Sequence, residues 1–191
     1  TMPQTAYNNL LLQRDGNRYR WELLENQNLT LQHLDTNEVL KTVRLGIECG
    51  RLPEDTGTDV PVILGKFGLL KDGVLNNAAA VLFGKHEDME YPQCLLRLAR
   101  FKGTDKTVFM DSQRIQGNFF QLLNAAMAFI FKHLSLSGTT DTLEREEHLT
   151  IPYKAIREGV LNSLTHRSYK EAGGSVGIAC LLYTSDAADD K

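Results

Sequence analysis

Thr150-Ile151-Pro152-Tyr153-Lys154-Ala155-Ile156-Arg157-Glu158-Gly159-Val160-Leu161-Asn162-Ser163-Leu164-Thr165-His166-Arg167 carries two periodicities at once. Ile156, Val160 and Leu164 recur at every fourth position and predict an amphipathic helix, with Thr150 offering a cap and Pro152 fitting the first turn. Glu158, Asn162 and His166 recur at the same interval and, at about 100° per residue, share an arc of roughly 80° almost opposite the apolar stripe. One face goes to a core while the other presents a carboxylate, an amide and an imidazole. Such a set can orient water and hold Mg²⁺ beside a phosphate, because hard cations prefer oxygen ligands and a Glu can act as base. On spacing alone, a solvated face is the simpler account of the same three residues.

Working outward, the Gly173-Gly174 pair predicts a turn into a strand beginning at Ser175. Upstream, Asp111 or Ser112 is read as the cap of a long helix with Ile115, Phe119, Leu122, Ala126, Ile130 and Leu134 on one stripe, ended by Gly138. Phe120, Met127 and Phe131 widen that stripe, so the phenylalanines are core and not a stacking platform. Cys94 to Phe101 is a strand candidate whose alternation is imperfect, because Leu96, Leu98 and Arg100 share one parity. Arg97, Arg100, Lys102 and Lys106 can touch phosphate, but a solvated strand edge accounts for them more simply. Asn77 to Gly84 is dense in Ala, Val, Leu and Phe and must be buried. It follows the turn signal Lys71-Asp72-Gly73. Nearer the amino end, Pro3 to Leu12 suits a short helix, and Asp35 with Glu38 is a capping-box pattern for a helix through Val39, Val43 and Ile47 that stops at Gly50. Arg51 to Pro61, with two Pro, a Gly and several Asp and Thr, reads as a linker.

Across the 191 residues, 42% are hydrophobic and 24% charged, which excludes a disordered chain and fits a soluble globular protein of one or two units. A formal charge of -3 argues against a nucleic-acid clamp acting through net charge alone, although a local basic patch is compatible with it. Leu122 to Phe131 is far shorter than the roughly 20 residues a membrane helix needs, so no membrane partner is expected. Three cysteines without a CxxC pair, and histidines without metal spacing, fit a reduced, cytoplasmic location. Gly65-Lys66 and Gly84-Lys85 lack P-loop spacing, so no helicase motor is encoded here.

Three ordered motifs carry a family resemblance. Ile151 to Tyr169 is similar to the "YPxxALREAhvNAhhHRDY" segment of a bacterial family of ATP-binding transcriptional regulators, Leu75 to Lys85 to its "LTNAAVLLFGK", and Ala99 to Gly103 to its "ARFKG". Members are often labelled RecG-like helicase C-terminal proteins and join an AlbA-like, Schlafen-type DNA-binding domain to a divergent GHKL-like ATPase domain. Met2-Pro3, Leu10 to Leu12 and Trp21-Glu22 resemble the segment that closes the AlbA-like domain. The resemblance implies ATP and Mg²⁺ as cofactors, with Glu158 polarising the attacking water, Asn162 coordinating Mg²⁺, and His166 lying near the phosphates or orienting the helix. Gly159, Ser163 and Ser168 stand where the family has Ala, Ala and Asp.

The expected organisation is therefore α+β: residues 1–22 a remnant of an AlbA-like domain, 23–61 a linker with a helix, and 62–179 the first part of a GHKL-like ATPase domain. Cys180 to Asp190 back-translates to a string that resembles a transposon-based sequencing-library adapter, so the tail from Cys180 to Lys191 is expected to have no native role, with Leu181 and Leu182 able to continue the Ser175 strand by hydrophobicity alone, and the chain to be a fragment. Removing the tail takes away three Asp and one Lys and leaves a charge of -1. The leading function is an ATP-binding, DNA-associated transcriptional regulator, with DNA as partner through the mostly missing amino-terminal domain. A DNA-dependent ATPase or RecG-like helicase and a pseudo-ATPase assembly domain remain as alternatives. Without the later glycine-rich boxes the fragment is expected neither to hydrolyse ATP nor to bind it tightly. Loss of strands covering the inner faces of Ile115 to Leu134 and Ile156 to Leu164 leaves an apolar patch that should promote association, and with it room for a homo-oligomer.

Overall fold

The computed structural model describes Pro3 and residues 20–85, 91–102, 106–134, 136–139, 146–149 and 151–182. The expected helix at Pro3 to Leu12 lies outside them, apart from Pro3. The fold is mixed α+β, in two compact units that divide after Glu90.

In the first unit, helix α1 (Thr36–Glu48) begins where Asp35 accepts from the backbone N–H groups of Asn37 and Glu38. The Glu38 carboxylate turns to Lys41, 3.4 Å away, and the helix stops just before Gly50, whose φ of 65° suits glycine. Val39 and Val43 are buried, as the periodicity requires. The Arg51 to Pro61 segment is not a linker between units. Thr56 is buried with its hydroxyl on Pro53 O at 2.6 Å, and helix α2 (Val60–Lys66) begins inside the segment because Asp59 caps Val62 N–H and Pro61 fits the first turn. A boundary after residue 61 would cut this helix.

Strands β1 (Leu70–Lys71) and β2 (Val74–Leu75) form a hairpin across Asp72 and Gly73, both at positive φ, which is the twist a two-residue hairpin demands. Helix α3 (Asn77–Phe83) follows, capped by the Asn76 side chain on Ala79 N–H. Ala79, Ala80 and Phe83 join Leu34, Ile63 and Leu64 among the buried side chains. Asn77 is buried too, and it is satisfied: its amide donates to Trp21 O at 2.9 Å and accepts from Asn26 at 3.0 Å.

The second unit is built on a sheet in the order β4-β3-β7. Strand β3 (Leu95–Lys102) pairs antiparallel with β4 (Phe109–Gln116) and parallel with β7 (Val176–Leu182). Helices α4 (Phe119–His133) and α5 (Tyr153–Thr165) cover one sheet face, with Leu96, Leu98, Leu122, Ala126, Val160 and Leu164 at the centre of the core. A separate antiparallel pair joins β5 (Leu136–Thr139) to β6 (Glu146–Leu149).

Several expectations change here. Asp111 and Ser112 do not cap a helix. They lie in β4, and α4 begins at Asn118, which forms a capping box with Gln121 at 3.0 Å in each direction. Ile115 keeps the helical spacing to Phe119 by coincidence, reaching the same core from a strand. Helix α4 ends at His133, and Gly138 belongs to β5. Arg97, Arg100 and Lys102 lie on the central strand, not an edge. The apolar stripe expected to stand open is covered within the chain, since Leu122, Ala126 and Ile130 are buried. The strand expected from Ser175 runs on through Cys180, Leu181 and Leu182, as their hydrophobicity allows, pairing them with Arg100, Phe101 and Lys102. Residues 183–191 lie outside the described residues. Among the described residues, no helix is long and apolar enough to cross a membrane.

Candidate functional site

Helix α5 positions the predicted site residues. Its amino end is set by Pro152, whose carbonyl accepts from Ala155 and Ile156; Thr150, the expected cap, lies outside the described residues. Val160 and Leu164 are buried and Ile156 is half-buried, so the helical phase read from the sequence holds. Tyr153 stacks on Phe131 of α4 with ring centroids 5.3 Å apart, and Tyr169 Oη donates to Leu164 O at 2.9 Å just beyond the helix. These contacts fix the rotation of α5, and with it the direction of its outer face.

On that face Glu158 and Asn162 are exposed, and the Asn162 Nδ2 amide donates to Glu158 Oε1 at 3.2 Å. The bond leaves Asn162 Oδ1 and Glu158 Oε2 as two oxygens on one surface, a donor set that suits a hard cation. Among the described residues no three His, Cys, Asp or Glu side chains form a metal-sized cluster, so a cation here would draw its remaining ligands from water or a bound anion. His166 is separated from the pair. It leaves the helix at φ -93°, ψ 4°, its backbone N–H on Asn162 O and its ring exposed.

Two polar clusters escaped the sequence reading. At the carboxyl end of α4, His133 is buried with Nε2 2.8 Å from Asp111 Oδ2 and Nδ1 3.3 Å from an Arg100 guanidinium nitrogen. Lys132 adds a 2.9 Å bond to the same carboxylate oxygen. Hydrogen bonds from Lys132 and then His133 hold the Asp111 carboxyl below its ordinary range. The cluster explains the imperfect alternation of β3: Arg100 points to the core face, as its parity with Leu98 dictates, and meets His133 there. The basic pair Lys132-His133 closing the α4 stripe was the available signal.

The second cluster surrounds the start of β3. Cys94 is buried, and burial pushes its thiol up to about 12. Tyr169 rises likewise to about 12, first by burial. The Arg167 guanidinium lies 4.8 Å from the Tyr169 ring centroid, and its Nε and Nη1 are buried without hydrogen-bond partners among the described residues. Gln93 donates to Tyr169 O at 3.2 Å. In the first unit a separate open cavity of about 660 Å³ is lined by residues including Asn26, Gln27, Thr30, Gln32 and Leu70, and it contains none of the predicted site residues.

The fold has a counterpart among solved structures. The chain is similar to the DIP2311 protein of Corynebacterium diphtheriae, with a TM-score of 0.64 and 13% sequence identity over 88% of this chain. It spans 32% of that protein's chain. No family profile matches the sequence, and no curated protein does. At this identity the likeness shows the fold alone.

Proposed function

We propose that this chain is part of an ATP-binding, DNA-associated transcriptional regulator, and that α5 supplies the Mg²⁺-facing side of its nucleotide site. The observation that carries the reading is the Glu158–Asn162 pair, held outward by a helix whose opposite face is locked into the core. Three ordered motifs support it, together with their placement on β2 and α3, on β3, and on α5. Mg²⁺, when bound, would neutralise charge on the phosphates. Asn162 Oδ1 is the ligand this helix offers to it. Glu158, steadied by the Asn162 amide, is the base that orients water, and His166 at the helix end, apart from this pair, lies near the phosphates or orients the helix. A GHKL-like architecture for the second unit belongs to the same proposal.

In the complete protein, Glu158→Ala should lower ATP hydrolysis more than nucleotide binding, and Asn162→Ala should weaken Mg²⁺-dependent binding. Wild-type turnover in both variants would remove the pair from the mechanism. The present chain is expected to bind ATP weakly, because a nucleotide site also needs an acceptor for the adenine amino group and backbone donors around the phosphates. Calorimetry with ATP and Mg²⁺ tests this, and a micromolar dissociation constant abolished by Asn162→Ala would mean that the site is already complete.

A further inference from the structure

We propose that the sheet face of the second unit turned away from α4 and α5 binds single-stranded DNA, with Arg97 and Arg114 on the backbone phosphates and Phe109 stacking a base. Leu96, Leu98, Val176 and Ile178 of the sheet pack against the helices, so the intervening positions point the other way. Arg97 and Arg114 are direct cross-strand partners on that outer face, and both are exposed. Opposed side chains in an antiparallel pair start about 5 Å apart, and like charges there destabilise the pair. Among the described residues neither guanidinium has an ion-pair or hydrogen-bond partner to relieve this. Their one acidic neighbour in the strands, Asp111, faces the helices and is engaged by Lys132 and His133. A phosphate between or along the two arginines supplies the missing charge, and guanidinium geometry matches it.

The next row, Ala99 paired with Ser112, carries small side chains. Beyond it, across the extra residue at Met110, Phe101 pairs with Phe109, ring centroids 4.6 Å apart; Phe101 is buried, whereas Phe109 is 63% exposed. Four residues of strand separate Arg97 from Phe101, about 13 Å. A pair of exposed arginines and an exposed ring along the same two strands, separated by a few nucleotides' reach, match an unpaired strand that offers both phosphate and base faces. A duplex would leave the ring idle, since its bases are stacked inside. The charge distribution agrees. Residues 91–182 hold eleven Lys and Arg against eight Asp and Glu, whereas residues 1–90 hold nine against thirteen, a segregation that the overall charge of -3 conceals.

Choosing DNA over RNA rests on the DNA-associated reading above. The surface itself uses neither Glu158 nor Asn162, so oligonucleotide binding and Mg²⁺-dependent ATP binding can fail separately. The test is fluorescence anisotropy of the full chain with a labelled oligothymidylate of about 16 nucleotides. Arg97→Ala with Arg114→Ala should weaken binding at least tenfold and reduce the slope of log affinity against log salt by about 1.4, roughly 0.7 for each lost phosphate contact. Phe109→Ala should weaken binding about fivefold or more with the slope unchanged. Each variant must keep the wild-type unfolding temperature; should the double variant unfold, Arg114→Gln on the edge strand carries the same test. Absence of binding by the wild-type chain, unchanged binding by the arginine variants, equal competition by duplex DNA or polyglutamate, or tighter binding of oligouridylate would each overturn the proposal.

Discussion

His133 Nε2 lies 2.8 Å from Asp111 Oδ2, a bond that ties the last turn of α4 to edge strand β4. With an Arg100 guanidinium nitrogen facing Nδ1, the geometry is met when Nε2 carries the proton and Nδ1 accepts. A buried histidine, a central-strand arginine and an edge-strand aspartate thereby close the polar end of an otherwise apolar layer.

The bond makes acid stability depend on Asp111. Lys132 and His133 hold its carboxyl below the ordinary 3.8, so the native state favours the ionised form. The contribution is present above the unfolded-state value and lost as pH falls through the lower folded-state value. Asp111→Asn should therefore unfold at a lower temperature than wild type at pH 6, and the gap should close by about pH 2. A gap constant across a pH series of thermal melts would detach Asp111 from this role.

At the alkaline end the sign reverses. Cys94 and Tyr169 are both pushed up to about 12, mainly by burial, from 9.0 and 10.0. Each favours its neutral form in the native state, so stability is full below pH 9 and declines as pH rises toward 12. Cys94→Ala should show a shallower decline in alkaline unfolding than wild type, with Tyr169 accounting for the remainder. At pH 8 a thiol reagent should label exposed Cys49 rapidly and leave Cys94 unmodified until the protein unfolds. Rapid native labelling of Cys94 would contradict its burial.

What the sequence made legible was local. Val160 and Leu164 could be assigned to the core because a helix's period fixes its inward face, and the Asp72-Gly73 turn followed from residues that tolerate positive φ. Strand β4 was not legible in that way. Asp111 to Gln116 is polar and exposed over much of its length, and it becomes a strand because β3 supplies hydrogen-bond partners from a distance in sequence. An extra residue at Met110, where Arg100 pairs with Asp111 but Phe101 with Phe109, further blurred any alternation. The Glu158–Asn162 pair was foreseeable from an interval of four. The Asp111–His133 pair, made across a strand and a helix, had no such local spacing to reveal it.

The start of α4 is set by Asn118, which is buried, accepts from Gln121 N–H on its side-chain oxygen at 3.0 Å and donates its own backbone N–H to Gln121 Oε1. Asn118→Ala should cost about 1–2 kcal/mol, within the range for N-caps, because the Gln121 N–H loses its acceptor in a partly buried bond. Gly117 just before it has little room: a Cβ would fall 2.6 Å from Gln121 Oε1. Gly117→Ala should thus destabilise by displacing Gln121, and combining it with Gln121→Ala should cost less than the sum of the two. Denaturant unfolding of the three variants measures the coupling, and strict additivity would show that Gly117 is constrained by something other than the cap.

Gly159 presents the opposite case. It sits in the interior of α5 on the exposed side, and a Cβ built there meets nothing within 4 Å. Its φ is not in the left-handed region, so glycine's extra freedom serves no conformational need at this position. Its carbonyl already accepts the Ser163 hydroxyl at 2.8 Å, a bond that a side chain at Cβ leaves intact. Gly159→Ala should accordingly stabilise the protein by about 0.8–1 kcal/mol through helix propensity, raising the unfolding temperature by about 2–4 °C. The change falls between Glu158 and Asn162 in sequence but touches neither side chain, so it should also leave their mutual 3.2 Å bond in place and reduce fraying of the helix that carries it. Hydrogen exchange along α5 measures both effects: slower exchange at 158–163 is expected, and unchanged exchange with an unchanged melting temperature would mean that packing of Val160 and Leu164, and not helix propensity, sets the stability of this segment.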